Sequence, residues 1–198
     1  MSAPQPDARA IAIAVGEPLA EAVLDGVASV TEAPVPGMPV GVAWRVLSNA
    51  GPHPQQRIVG AWPDGSVGVL TADQAAWAEL VAAWGARLRD PATARAYVEA
   101  YLALTRGAMV AVRVVTDVAD LPWRPGSASE EGAKARLLAD APDMAPVEEQ
   151  TPDGFHVELV LVVDQRLQRN RFDVRPDGSF AATSFQVLAE GLPFPIVR

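Results

Sequence analysis

The residues whose types and spacing could do chemistry are concentrated in the last third of this chain. His156 stands two positions before Glu158, and on a β-strand residues two apart share a face. A histidine oriented by a carboxylate is the simplest general base, and Asp173 or Arg171 on a neighbouring strand could assist it. His156, Glu158 and Asp173 are therefore the candidate catalytic groups. The competing reading is that a histidine beside acids on an exposed sheet face is merely solvated, and no nucleophile is assembled with these three. His53, between Pro52 and Pro54, offers still less.

Arg166, Arg169, Arg171 and Arg175 place four of the sixteen basic residues within ten positions. The last three share a strand face with Asp173, giving a cationic floor for an anionic ligand or an acidic partner, since a guanidinium grips carboxylate or phosphate with two parallel hydrogen bonds. Set against this is a cross-strand ladder in which Glu158 and Asp164 neutralise the arginines. Trp123, in Leu121-Pro122-Trp123-Arg124-Pro125, belongs to no core period. It either caps a pocket or anchors a partner, or it tucks back onto its own domain. Arg169, Arg171, Arg175 and Trp123 are the candidate binding residues.

Composition narrows the partners. The formal net charge of −8 opposes association with nucleic acid and with anionic membrane surfaces. With no cysteine and two histidines, thiol chemistry and thiolate or three-histidine zinc sites are excluded, and neither a metal nor a cofactor is expected. The phosphate-binding, dinucleotide-binding, nucleophile-elbow and zinc-protease motifs are all missing. No apolar run is long enough to span a membrane. Arginine outnumbers a single lysine, Lys134, as GC-rich bacterial coding favours, and a soluble, cytoplasmic protein is expected. The expected function is non-catalytic: a binding or protein-interaction domain whose partner is a protein or a small anionic ligand, or a homodimer formed by pairing sheet faces or edges. The alternative is a small-ligand pocket protein or enzyme, with His156, Glu158 and Asp173 beside a cavity between helices and sheet.

The elements that must position these groups can be read from periodicity. Arg57–Trp62 and Ser66–Thr71 flank Pro63-Asp64-Gly65 as a hairpin, and pairing Trp62 with Ser66 sets Val59 against Val69 and Ile58 against Leu70. Thr71 and Gln74 have capping-box spacing before a helix whose apolar stripe is Trp77, Leu80, Val81, Trp84 and Leu88. Asp90 and Pro91 open a second helix through Tyr97, Val98, Tyr101 and Leu102, ended by Gly107. A strand over 109–118 follows, then a Pro-rich connection over 119–146 with a short helix at 129–139, expected to be a mobile surface excursion.

Strands over 147–151, 155–164, 169–175 and 179–188 make an antiparallel meander, with two further Pro-Asp-Gly turns at 152–154 and 176–178. Phe155, Val157, Leu159, Leu161 and Val163 share one face, which Phe172 and Val174 must join. Opposing Asp164 to Arg169 satisfies this and sets Glu158 against Arg175. Residues 18–30 suggest a helix with Leu19, Val23 and Val27 inward, and 40–47 a strand. The fold expected is a single α+β domain over 1–198: an irregular Pro-rich part over 1–54, then over 55–198 a helical pair on a twisted, mainly antiparallel sheet ending in a C-terminal β-meander. That outline is shared, by analogy only, with cystatin-like and nuclear-transport-factor-like folds.

Overall fold

Three separate apolar stripes in the sequence have to be buried, and the computed structural model buries them between alternating layers of helix and sheet. It describes residues 6–51, 53–106, 112–124, 126–140 and 142–193. In chain order the elements are α1 (Ala8–Val15), α2 (Leu19–Leu24), β1 (Ser29–Glu32), β2 (Ala43–Ser48), β3 (Gln55–Ala61), β4 (Val67–Val69), α3 (Gln74–Trp84) and α4 (Pro91–Thr105). There follow β5 (Val112–Val114), a 3-10 turn at Val118–Asp120, α5 (Ala128–Asp140), β6 (Val147–Thr151), β7 (Gly154–Val163), β8 (Arg166–Val174) and β9 (Phe180–Ala189). The class is α+β, with two antiparallel sheets in place of the one expected. The first has the order β1-β2-β3-β4; the second has β5-β7-β8-β9, with β6 also on β7. Among the described residues, no helix is long and apolar enough to cross a membrane.

Residues 8–48, expected to be irregular apart from a helix over 18–30 and a strand over 40–47, supply two helices and two strands; α2 lies within the first of those ranges and β2 overlaps the second. Ile11, Leu19 and Val23 pack against Val46 and Val59 of the first sheet, whereas Val27 is exposed. Ile58, next to Val59, turns the other way and joins the main core with Trp77, Leu80 and Tyr97. That core continues through α4 to Phe155, Val157, Leu159, Leu161, Phe172 and Val174 of the second sheet. The aliphatic side of β7 therefore faces the helices, as its alternation predicts.

The first hairpin has the predicted register, Val59 opposite Val69, with Leu70 N–H donating to the Ile58 carbonyl. Its turn works because Gly65 accepts φ +85 and the Asp64 carboxylate accepts from both the backbone and the hydroxyl of Ser66. Pro176-Asp177-Gly178 repeats that device with Ser179. Pro152-Asp153-Gly154 does not. Phe155 stands where the serine is needed, and Thr151 pairs directly with Gly154 across a tighter turn.

Three local expectations are corrected. Asp73, not Thr71, caps α3, accepting from Ala76 N–H at 2.8 Å; the Thr71 hydroxyl instead accepts from Ile58 N–H. The helix ends at Trp84 with Gly85 at φ +70, so Leu88 reaches the core from beyond it. Asp90 and Pro91 do open α4, but it runs to Thr105, and the expected stop at Gly107 lies outside the described residues, as does the start of the strand expected from Met109. Between β7 and β8, Asp164 adopts φ +54 and closes a two-residue turn, a backbone region aspartate tolerates better than most residues. Val163 then meets Arg166, and Glu158 meets Arg171 rather than Arg175. Both registers have the same parity, so the faces were assigned correctly while the partners were not.

The connection over 119–146 is not a surface excursion. Val118, Leu121, Leu137 and Met144 form a second core against Val160, Val162 and Leu167 on the reverse of the second sheet. β7 is buried on both faces as a result.

Candidate functional site

Beyond this second core, the reverse face of β7 and β8 is polar and carries the groups singled out for chemistry. His156 lies opposite Asp173 and Glu158 opposite Arg171. The imidazole is held between two carboxylates: Nδ1 is 3.1 Å from Asp173 Oδ1 and Nε2 is 3.1 Å from Glu158 Oε1. Both contacts are hydrogen bonds only when both ring nitrogens carry protons. Glu158 also accepts from Arg169 Nη1 at 3.2 Å, and Arg169 continues to the carbonyl and carboxylate of Asp143. Burial works against the charge on Glu158, but the hydrogen bonds from His156 and Arg169 outweigh it and hold the carboxyl below its ordinary value.

The arrangement is a closed ladder. His156 is 7% exposed and each ring nitrogen lies against a carboxylate oxygen, so neither nitrogen faces open space where a substrate would approach. His156, Glu158 and Asp173 are indeed brought together, but they lie on the face turned away from α4. A cavity between α4 and the sheet would therefore not be lined by them, whereas Leu137 of α5 packs on the same face as they do. Among the described residues, no three potential ligands come together to hold a metal ion.

The arginines expected to form one cationic floor are dispersed. Arg166 pairs with Glu190 at 3.4 Å, Arg169 is bound into the ladder, and Arg171 stays half exposed 3.6 Å from Asp173. Arg175, just past β8, borders a groove of about 530 Å³ with Asp153, Asp173 and Thr183. Trp123 is half buried against the second core, its indole N–H donating to the Val118 carbonyl at 2.8 Å. The connection also hides Glu130, 1% exposed, whose carboxylate accepts from the backbone and guanidinium of Arg124. The backbone bond is the main reason its pKa is lowered.

What the sequence analysis did not single out is β9. Its residues 181–187 are all exposed, Phe185 at 63% and Val187 at 37%. Residues 180–189 read FAATSFQVLA, without a charge or a proline. β8 is its only strand partner among the described residues, so the outer edge presents a row of backbone donors and acceptors. Sheet edges are ordinarily guarded by charged side chains, proline or bulges. β9 has only irregularities in its register with β8, at Leu167/Gln168 and Arg171/Phe172, and between them four residue pairs run regularly.

A second feature lies where β9 begins. Trp77, Tyr101 and Phe180 line a groove of about 420 Å³ between α3 and the Pro176–Ser179 turn, with Asp177 at its margin. Compared with known proteins, this chain matches no family profile, no curated protein and no solved structure, so its own geometry is what bears on its function.

Proposed function

We propose that this chain is a non-catalytic protein-interaction domain whose interaction surface is the outer edge of β9, and that its partner there is a second copy of the chain. The observation that supports this reading is the uncharged, ten-residue strand, seven of its residues exposed, whose outer edge pairs with no other strand among the described residues. Strand addition satisfies backbone groups that otherwise rely on water, and neighbouring side chains supply the specificity.

A second copy fits for two reasons. Each chain carries −8 net charge, so two copies repel over most of their surfaces, and β9 is a strip along which no like charges meet. Antiparallel pairing about a two-fold axis at Phe185 would also set the two Phe185 rings side by side and align Val187 with Thr183 of the other copy. An aromatic pair in that position contributes about 0.5–1.5 kcal/mol beyond its area burial. The arginine face is the weaker candidate, because Arg166 and Arg169 already have carboxylate partners.

Light scattering on the wild type and on Phe185→Glu, Phe185→Lys and their equimolar mixture tests the reading. The wild type is expected to be a dimer, each variant a monomer, and the mixture a dimer again as the opposite charges meet. A monomeric wild type at millimolar concentration, or two variants that both remain dimers, contradicts it.

A further inference from the structure

The groove beside α3 is built from rings that meet as walls. Trp77 and Tyr101 have centroids 5.6 Å apart with planes at 64°. Tyr101 and Phe180 are 4.7 Å apart at 82°. Three rings in near-perpendicular succession form a corner rather than a stack. On the helix side, Ala78 and Ala82 line the groove with small side chains, which leaves the corner open. Its volume of about 420 Å³ lies within the range of small-ligand sites.

The charge at this corner has one sign. Among the described residues no basic side chain lines it, and Asp177 supplies the one carboxylate there. Ser179 fixes the Asp177 carboxylate through its hydroxyl at 2.7 Å and its backbone N–H at 2.9 Å. Those two bonds, the hydroxyl's first, outweigh desolvation and keep the carboxyl below its ordinary value, with Arg175 adding to the effect from outside the groove. Aromatic faces carry negative potential and attract cations. A carboxylate at the rim of an aromatic corner adds to that attraction, while the apolar walls disfavour a small, strongly hydrated metal ion.

We propose that this groove binds a small organic cation with an alkylammonium head, its methyl or methylene groups against Trp77, Tyr101 and Phe180 and its charge toward Asp177. The proposal rests on the ring geometry and the rim charge, and it stands or falls independently of what pairs with β9.

Choline is a suitable probe, with dimethylbutanol as the neutral isostere in which carbon replaces nitrogen. Isothermal titration calorimetry is expected to show saturable one-to-one binding of choline and binding of the isostere weaker by about tenfold. Asp177→Asn and Phe180→Ala should each weaken choline binding several-fold. Asparagine can still accept from Ser179 but loses the charge, so Asp177→Asn should lower the melting temperature only slightly, and titration well below that temperature reads the charge on a folded chain. Absence of choline binding at millimolar concentration overturns the proposal. Equal binding of choline and its isostere overturns it too, because the groove would then be an apolar slot for a neutral group or a partner side chain.

Discussion

Replacing Tyr97 by phenylalanine isolates one hydrogen bond on which the shape of the β8–β9 turn depends. Tyr97 is fully buried and its hydroxyl donates to the buried carbonyl of Gly178 at 2.9 Å. Gly178 sits at φ +83, and a Cβ there would come within 3.0 Å of that same hydroxyl. Phenylalanine keeps the edge-on packing against Phe180 and removes only the donor, leaving the carbonyl unsatisfied. The cost is about 1–3 kcal/mol near neutral pH. Burial also raises the Tyr97 pKa above its ordinary value of 10.0. The folded chain therefore holds a proton that the unfolded chain begins to release near that pH. The associated stability is complete below 10.0 and falls as pH rises, by up to about 1.4 kcal/mol per unit. Wild type loses this contribution in alkali and Tyr97→Phe has none to lose. Urea unfolding of both proteins near pH 7 and at about pH 11 should show a clear gap at neutrality that shrinks in alkali. No gap at neutrality, or a gap of equal size at both pH values, would refute the reasoning.

Two other substitutions probe the reverse face of the second sheet. Leu167, fully buried between Val162 and the residues of the connection, should cost about 2–5 kcal/mol as Leu167→Ala in urea unfolding; a loss well under 1 kcal/mol would mean that the connection does not cover the sheet. Glu158→Gln should cost about 1 kcal/mol at neutral pH. The folded pKa of Glu158 lies below its ordinary 4.5, so its contribution is complete above that value and fades as pH falls. The difference between wild type and variant should therefore vanish in acid, and a difference that grows there would contradict the ladder.

Local chemistry was the legible part of this fold. Asp90 with Pro91 announced α4, the Trp62–Ser66 turn set a register, and alternation over 155–163 identified the face of β7 that meets the helices. The failures lie where a choice depends on distant parts of the chain. A left-handed Asp164 moved the β7–β8 pairing without changing its parity, so Glu158 met Arg171. Asp73 and Thr71 both stood near the start of α3, and the hairpin's need for a hydroxyl at Ile58 occupied Thr71. Val160 and Val162 were a signal passed over: apolar residues on both parities of one strand mark burial on both faces, and so require a covering layer such as the connection. Of the site residues, parity alone put His156, Glu158 and Asp173 on one face, but Asp173 stands opposite His156 only in the register that the Asp164 turn imposes. That both ring nitrogens lie against carboxylates did not follow from parity, because it depends on Arg169 and on the second core. The edge position of β9 had no signal, since an uncharged strand reads alike whether or not another lies beyond it.

The absence of cysteine from the chain makes the interaction surface directly testable by oxidation. A single cysteine at the centre of β9, Phe185→Cys, should form a disulfide-linked dimer rapidly, because the two-fold axis would place the thiols of both copies side by side. Ile13→Cys, at a site even more exposed but on α1, should cross-link only slowly by collision. Equal cross-linking rates for the two variants would contradict pairing through β9.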